Sequence, residues 1–184
     1  TAPLTAHPTY LQLPDTLVRR RGLAEQAAGD RENPLEKARA IERHLQTQYG
    51  YTLNLPPVDP NNPVEAFLFE TKKGHCEYFA TSMTLMMRAQ GVHARVVNGF
   101  LGGTWNEVGN YMAVRQADAH SWVEVFLPKY GWVPFDPTPA TEADFRLRAE
   151  PGPLEWIRSS YDTLRMNWMK WVIEYDLDQQ IAAL

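Results

Sequence analysis

Apolar residues in this chain recur with a helical period as far as Gly91 and with a strand-like pattern from His93 to Phe135. That single change of period narrows the folds open to it. Before the break, Ala38, Ile41, Leu45 and Tyr49 fall at steps of three and four, and Phe79, Ala80, Met83, Met86 and Met87 share one helical face. After it, residues 93–101, 111–115, 121–127 and 132–135 are rich in β-formers. Helices first and strands after predict an α+β fold, with an antiparallel sheet packed on the helix that begins near Cys76.

Local signals set the boundaries. Residues 1–14 hold three prolines and no period, and read as an extended lead-in. Asp15 is the expected cap of a helix running to Ala28 and stopped by Gly29-Asp30. Asn33-Pro34 opens a second helix and Gly50 closes it. Tyr51–Leu55 alternates like a short strand, residues 56–63 form a loop, and a short helix runs through Phe67 to Glu70. Gly74 precedes the Cys76 helix and Gly91 supplies its C-terminal stop. Residues 102–109 turn the chain, and Pro128–Gly131 joins the last two strands as a hairpin. Residues 15–140 are therefore expected to form one core. Residues 141–184 are a polar linker and an amphipathic helix, in which Leu154, Ile157, Tyr161, Leu164, Trp168, Trp171 and Tyr175 make an a/d seam. That seam is expected to lie on the helix's own domain. The sharper alternative is a helix that packs on a further segment or leads toward a membrane, where Trp and Tyr favour the interface.

The 184 residues carry a net charge of −4, which argues against nucleic acid as a partner, and Arg19-Arg20-Arg21 reads as a solvated helix face. No apolar run approaches the roughly 20 residues that cross a bilayer, so the chain as given is expected to be soluble. One cysteine rules out an internal disulfide and every multi-cysteine metal framework. A lone Cys is ordinarily a buried, inert thiol. Cys76, however, sits three residues before Phe79 and four before Ala80, in the first turn and on the inward face. Helix N-termini lower a thiol's pKa from about 8.5, and an adjacent imidazolium lowers it further.

Five histidines compete for the second role. His7 and His44 read as surface residues, and His93 would lie at the far end of the Cys76 helix. His75 adjoins Cys76, where neighbouring side chains diverge. His120 opens a strand, from which a ring can reach past the sheet edge; it ranks first and His75 second. A carboxylate must then hold the ring's tautomer. If the hairpin sets Asp136 opposite Trp122, His120 and Asp136 become diagonal neighbours about 7–8 Å apart at the backbone. A slip of one residue would turn Asp136 away. Asp118 and Glu124 are rivals, and Asp136-Pro137 also suits a turn.

Four blocks in this order, GHCEYFA from Gly74, ARVVNGF from Ala94, HSWVEV from His120 and GWVPFDPT from Gly131, resemble the transglutaminase core. The segments around Tyr10–Pro14, Tyr49–Tyr51 and Phe67–Glu70 resemble its bacterial TgpA-type members. The likeness covers about residues 10–138 and implies a papain-like fold with the triad Cys76, His120 and Asp136. It implies acyl transfer from the carboxamide of a protein or peptide glutamine to an amine such as lysine. A cysteine peptidase or deamidase of the same fold, or a non-catalytic binding module, are the alternatives. His75, Tyr78 and Trp122 are expected to line the substrate site, with no cofactor and no metal. The resemblance also implies a periplasmic domain of a membrane-anchored parent, which fits a start without Met. Two departures stand out. No Trp precedes Cys76 to serve as an oxyanion donor, and no acidic loop resembles a calcium site.

Overall fold

A computed structural model of the chain describes residues 5–14, 18–55, 57–140 and 155–168. The chain divides into two units, residues 1–101 with 119–142, and residues 102–118 with 143–184.

The first unit holds the helical half. Helix α1 (Val18–Ala28) ends at Gly29, whose φ of +59° lies in the left-handed region, as the sequence requires. Its expected cap, Asp15, lies outside the described residues. Helix α2 (Pro34–Gln48) is capped by Asn33, whose side chain accepts the N–H of Leu35 at 2.9 Å, and it buries Ala38, Ile41 and Leu45. Strand β1 (Gly50–Tyr51) pairs in parallel with β2 (Lys73–Gly74). The alternation that predicted a strand to Leu55 stops at Tyr51, because β2 offers only two residues to pair with and Leu53 faces solvent. Helix α3 (Pro63–Ala66) widens into a π turn over Phe67–Thr71.

Helix α4 (Cys76–Ala89) buries Phe79, Ala80, Met83, Met86 and Met87 completely. It ends in a Schellman motif: the Val92 N–H reaches the Met87 carbonyl and the Gly91 N–H that of Arg88, both at 3.0 Å, with Gly91 at φ +71°. Strands β3 (Ala94–Phe100), β4 (Thr104–Asn106), β5 (Tyr111–Ala113), β6 (Ala119–Leu127) and β7 (Gly131–Phe135) follow. The sheet is antiparallel in the order β3–β6–β7. Val123 and Val125 of β6 and Ala94 of β3 turn toward α4 and join its apolar face in one core, each large side chain contributing about 1.5–3 kcal/mol. The α+β architecture with a sheet packed on the Cys76 helix is thus as expected.

Two local readings differ. The lead-in is not wholly extended, for Pro8–Leu11 forms a 3-10 turn capped by His7, and Tyr10 meets the Trp132 ring edge-on at 4.8 Å. In the second unit, residues 102–109 do more than turn the chain. Gly102 and Gly103, both at positive φ, separate β3 from β4, which pairs with β5 as a hairpin outside the main sheet. A pairing this local closes a short loop at little entropic cost. Residues 102–118 consequently leave the expected core of residues 15–140 and group with the C-terminal segment.

Helix α5 (Glu155–Trp168) joins that hairpin through polar groups. Buried Asn106 donates to the Ser159 carbonyl at 3.0 Å and accepts from the Gly109 N–H at 2.9 Å, and Arg115 pairs with Asp162 at 2.9 Å. The expected apolar seam is not the buried side: Ile157, Tyr161, Leu164 and Trp168 are all exposed. Leu154, Trp171 and Tyr175 lie outside the described residues.

Candidate active site

Cys76 is the first residue of α4, following His75, whose extended backbone caps the helix without a side-chain bond. At that position its N–H has no carbonyl one turn earlier to meet and points outward from the helix end. The approach to it is tight. A Cβ on Gly74 would come to 3.0 Å from the Phe67 and Tyr78 side chains, so any larger residue here would press on both. The thiol is half-buried.

The sheet delivers the imidazole and the carboxylate. The β6–β7 register pairs Val123 with Phe135. Carried one step further it sets Trp122 opposite Asp136, the arrangement on which the triad depended. His120 Nε2 stands 2.6 Å from Asp136 Oδ2. With Nε2 committed to the carboxylate, Nδ1 is the ring nitrogen left for the sulfur. The thiol is hydrogen-bonded by the His120 ring and by the Ser121 backbone N–H, while the Ser121 hydroxyl donates to Asn98 Oδ1 at 2.8 Å. Trp122 lies nearly parallel to the His120 ring, at 6.4 Å and 19°. It leans over Gly99, where a Cβ would fall 2.7 Å from the indole.

Asp136 is held on every side. Its Oδ1 accepts the Thr138 N–H at 3.0 Å, its own N–H donates to Glu42 Oε1 at 2.9 Å, and its carbonyl accepts from Gln46 Nε2 at 2.7 Å.

The electrostatics follow. Burial pushes the Cys76 thiol up, but the hydrogen bonds from His120 and Ser121 outweigh it and hold the thiol below its ordinary value. The bond to Asp136 first, and that to Cys76 second, raise His120 to about 10. Burial raises Asp136, yet the His120 and Thr138 bonds leave its carboxyl below the usual range. All three shifts favour thiolate, imidazolium and carboxylate together, the charge state of an activated thiol.

The rivals have other partners. Asp118 accepts the Arg115 N–H at 2.7 Å and closes its own turn. Glu124 pairs with Arg95 at 2.6 Å. His93 meets the Phe126 ring, His44 that of Tyr49, and His75 that of Tyr78, with its Nδ1 4.0 Å from Glu77. Of the three residues expected to line the substrate site, Trp122 stacks on the His120 ring, while His75, the cap of α4, and Tyr78 in its first turn meet ring to ring at 5.0 Å on either side of Cys76 in the chain. Sequence reasoning missed Ser121, Asn98, Thr138, Glu42 and Gln46. Ser121 left a trace, being polar at an inward position of a strand whose next two inward residues are Val123 and Val125. Among the described residues no group of His, Cys, Asp and Glu converges as a metal site, and no helix is long and apolar enough to cross a membrane.

Comparison with known proteins points the same way. The chain is 34% identical to a Protein-glutamine gamma-glutamyltransferase of Pseudomonas aeruginosa over 190 residues, covering 90% of this chain and 28% of that protein. It is 41% identical to Uncharacterized protein YebA of Bacillus subtilis over 137 residues, covering 70% of this chain and 19% of that one. The crystal structure of the periplasmic domain of TgpA from Pseudomonas aeruginosa bound to ethylmercury superposes with a TM-score of 0.67 at 38% identity, covering 76% of this chain and 50% of that domain. The chain thus spans under a third of the curated relatives it matches and half of the crystallised domain. The profile of the Transglutaminase-like superfamily matches residues 21–137, a stretch that runs through α2, α4 and the whole β3–β6–β7 sheet. Every element that delivers Cys76, His120 and Asp136 falls inside that match, and the chain belongs to the transglutaminase-like superfamily.

Proposed function

We propose that this chain is a thiol-dependent acyltransferase acting on the carboxamide of protein or peptide glutamine, with Cys76 as nucleophile, His120 as acid and base, and Asp136 orienting the ring. The observation that carries the reading is the 2.6 Å contact of His120 with Asp136 in a ring that also bonds the Cys76 thiol at a helix N-terminus. The name of the Pseudomonas relative supports glutamine as the acyl donor.

The chemistry runs in two halves. The Cys76 thiolate adds to the carboxamide carbon, and the oxygen, now negative, meets the outward N–H of Cys76. Collapse breaks the C–N bond, His120 gives its proton to the leaving nitrogen, and ammonia departs from a thioester. An amine such as a lysine side chain then adds to the thioester. His120 takes the amine's proton, and the thiolate leaves to give an isopeptide bond. Water in place of the amine gives glutamate. His75 and Tyr78, beside Cys76 in the chain, and Trp122, stacked on the His120 ring, are assigned to substrate contact. The crystallised relative is a periplasmic domain, which supports a periplasmic site of action.

Incubation with a glutamine-containing protein and a fluorescent primary amine tests the reading. Covalent label and released ammonia are expected, both abolished in Cys76→Ala. Ammonia without label would replace transfer by deamidation, a cleaved backbone would make the chain a peptidase, and neither product would leave a binding module.

A further inference from the structure

Strand β7 is the outer strand of its sheet and ends at Phe135. Asp136 therefore leaves the ladder just where its carboxylate is needed, and Pro137 behind it has no N–H to anchor the chain. A residue so placed needs partners for both main-chain groups, or water will take them and the chain will move. Both are met from one helix. Glu42 Oε1 accepts the Asp136 N–H at 2.9 Å, and Gln46 Nε2 donates to the Asp136 carbonyl at 2.7 Å. Glu42 and Gln46 are four residues apart, so they project from one face of α2 on successive turns. The pair replaces the ladder bonds that a further strand would have supplied.

We infer that Glu42 and Gln46 are positioning residues: a side-chain brace on α2 that fixes the Asp136 backbone and, through it, the ring of His120. The inference rests on the catalytic reading above. Its physical basis is distance. The His120–Asp136 bond is 2.6 Å, and misplacing a catalytic group by about 1 Å can cost on the order of 10²-fold in rate. The brace is also insensitive to its own charge. Burial raises the pKa of Glu42, with Asp136, Arg39 and Arg43 as its charged neighbours, but a carboxyl presents an acceptor oxygen in either form.

The test compares Glu42→Ala, Gln46→Ala and Glu42→Gln with wild type by melting temperature, by kcat and KM for amine transfer, and by the pH profile of Cys76 alkylation. Gln46 is exposed, so its removal leaves the fold intact. Each alanine variant is expected to lower kcat about tenfold or more with KM within about twofold, and to move the alkaline limb of alkylation to lower pH as His120 loses its aligned carboxylate. Glu42→Gln, which keeps the acceptor, should restore both. A merely structural contact would lower the melting temperature and leave the limb in place. Folded alanine variants with the wild-type limb and kcat, or a Glu42→Gln as impaired as Glu42→Ala, overturn the brace. If wild-type Cys76 itself alkylates no faster than a free thiol, it is the catalytic reading that falls.

Discussion

Helices α4 and α5 are each 14 residues long and each carries apolar residues at helical spacing, yet one face is sealed and the other open. Phe79, Ala80, Met83, Met86 and Met87 have no exposed surface, whereas Ile157, Tyr161, Leu164 and Trp168 are 57–70% exposed. Periodicity says which residues share a face. What covers that face lies elsewhere in the chain. For α4 the cover comes from Ala94, Val123 and Val125 on the sheet and from helices α1 and α2. For α5 the described contacts are polar, centred on Asn106 and Asp162. The same contrast bears on function, because the sealed helix is the one that presents Cys76.

Three substitutions sharpen or break that contrast. Met83→Ala empties a fully buried site and should cost about 2–5 kcal/mol in urea unfolding. Gly91→Ala should cost about 1–2 kcal/mol, since a Cβ there meets nothing within 4 Å and the penalty comes only from its φ of +71°. Leu164→Ala should change the same measurement by no more than about 0.5 kcal/mol. A Leu164→Ala loss as large as that of Met83→Ala would mean that the seam is covered after all.

The triad gives stability a pH dependence of known sign. His120 is raised to about 10, so its contribution is complete below the free value near 6.5 and is lost as pH climbs through about 10. Asp136 is held low, so its share is present above about 3.8 and is lost on acidification. In urea, wild type should therefore weaken toward pH 10 more steeply than His120→Ala. Equal slopes would place the ring outside the ion pair.

Much of this was legible in the residues. The buried stripes of α2 and α4, the stops at Gly29 and Gly91, and the Pro128–Gly131 hairpin follow from spacing and turn chemistry that act locally. The hairpin put Asp136 beside His120 only on the condition that it fell opposite Trp122, and the family resemblance, not the spacing, chose it over Asp118 and Glu124. The β4–β5 pairing was hidden because Thr104–Asn106 is too short to show a period. The strand expected over Tyr51–Leu55 failed for want of a partner, which alternation does not encode. Glu42 and Gln46 left no pattern, since side chains that bond a main chain 90 and more residues away impose no spacing on either segment.

The central claim is that the Cys76 sulfur is held as a thiolate by the His120 imidazolium. The most direct measurement is the rate of Cys76 alkylation by iodoacetamide from pH 5 to 11 in wild type and His120→Ala. Wild type should react rapidly well below pH 8 and hold a plateau until His120 deprotonates near 10, while His120→Ala should follow an ordinary thiol with a midpoint of about 8.5. A wild-type profile that coincides with that of His120→Ala would contradict the account.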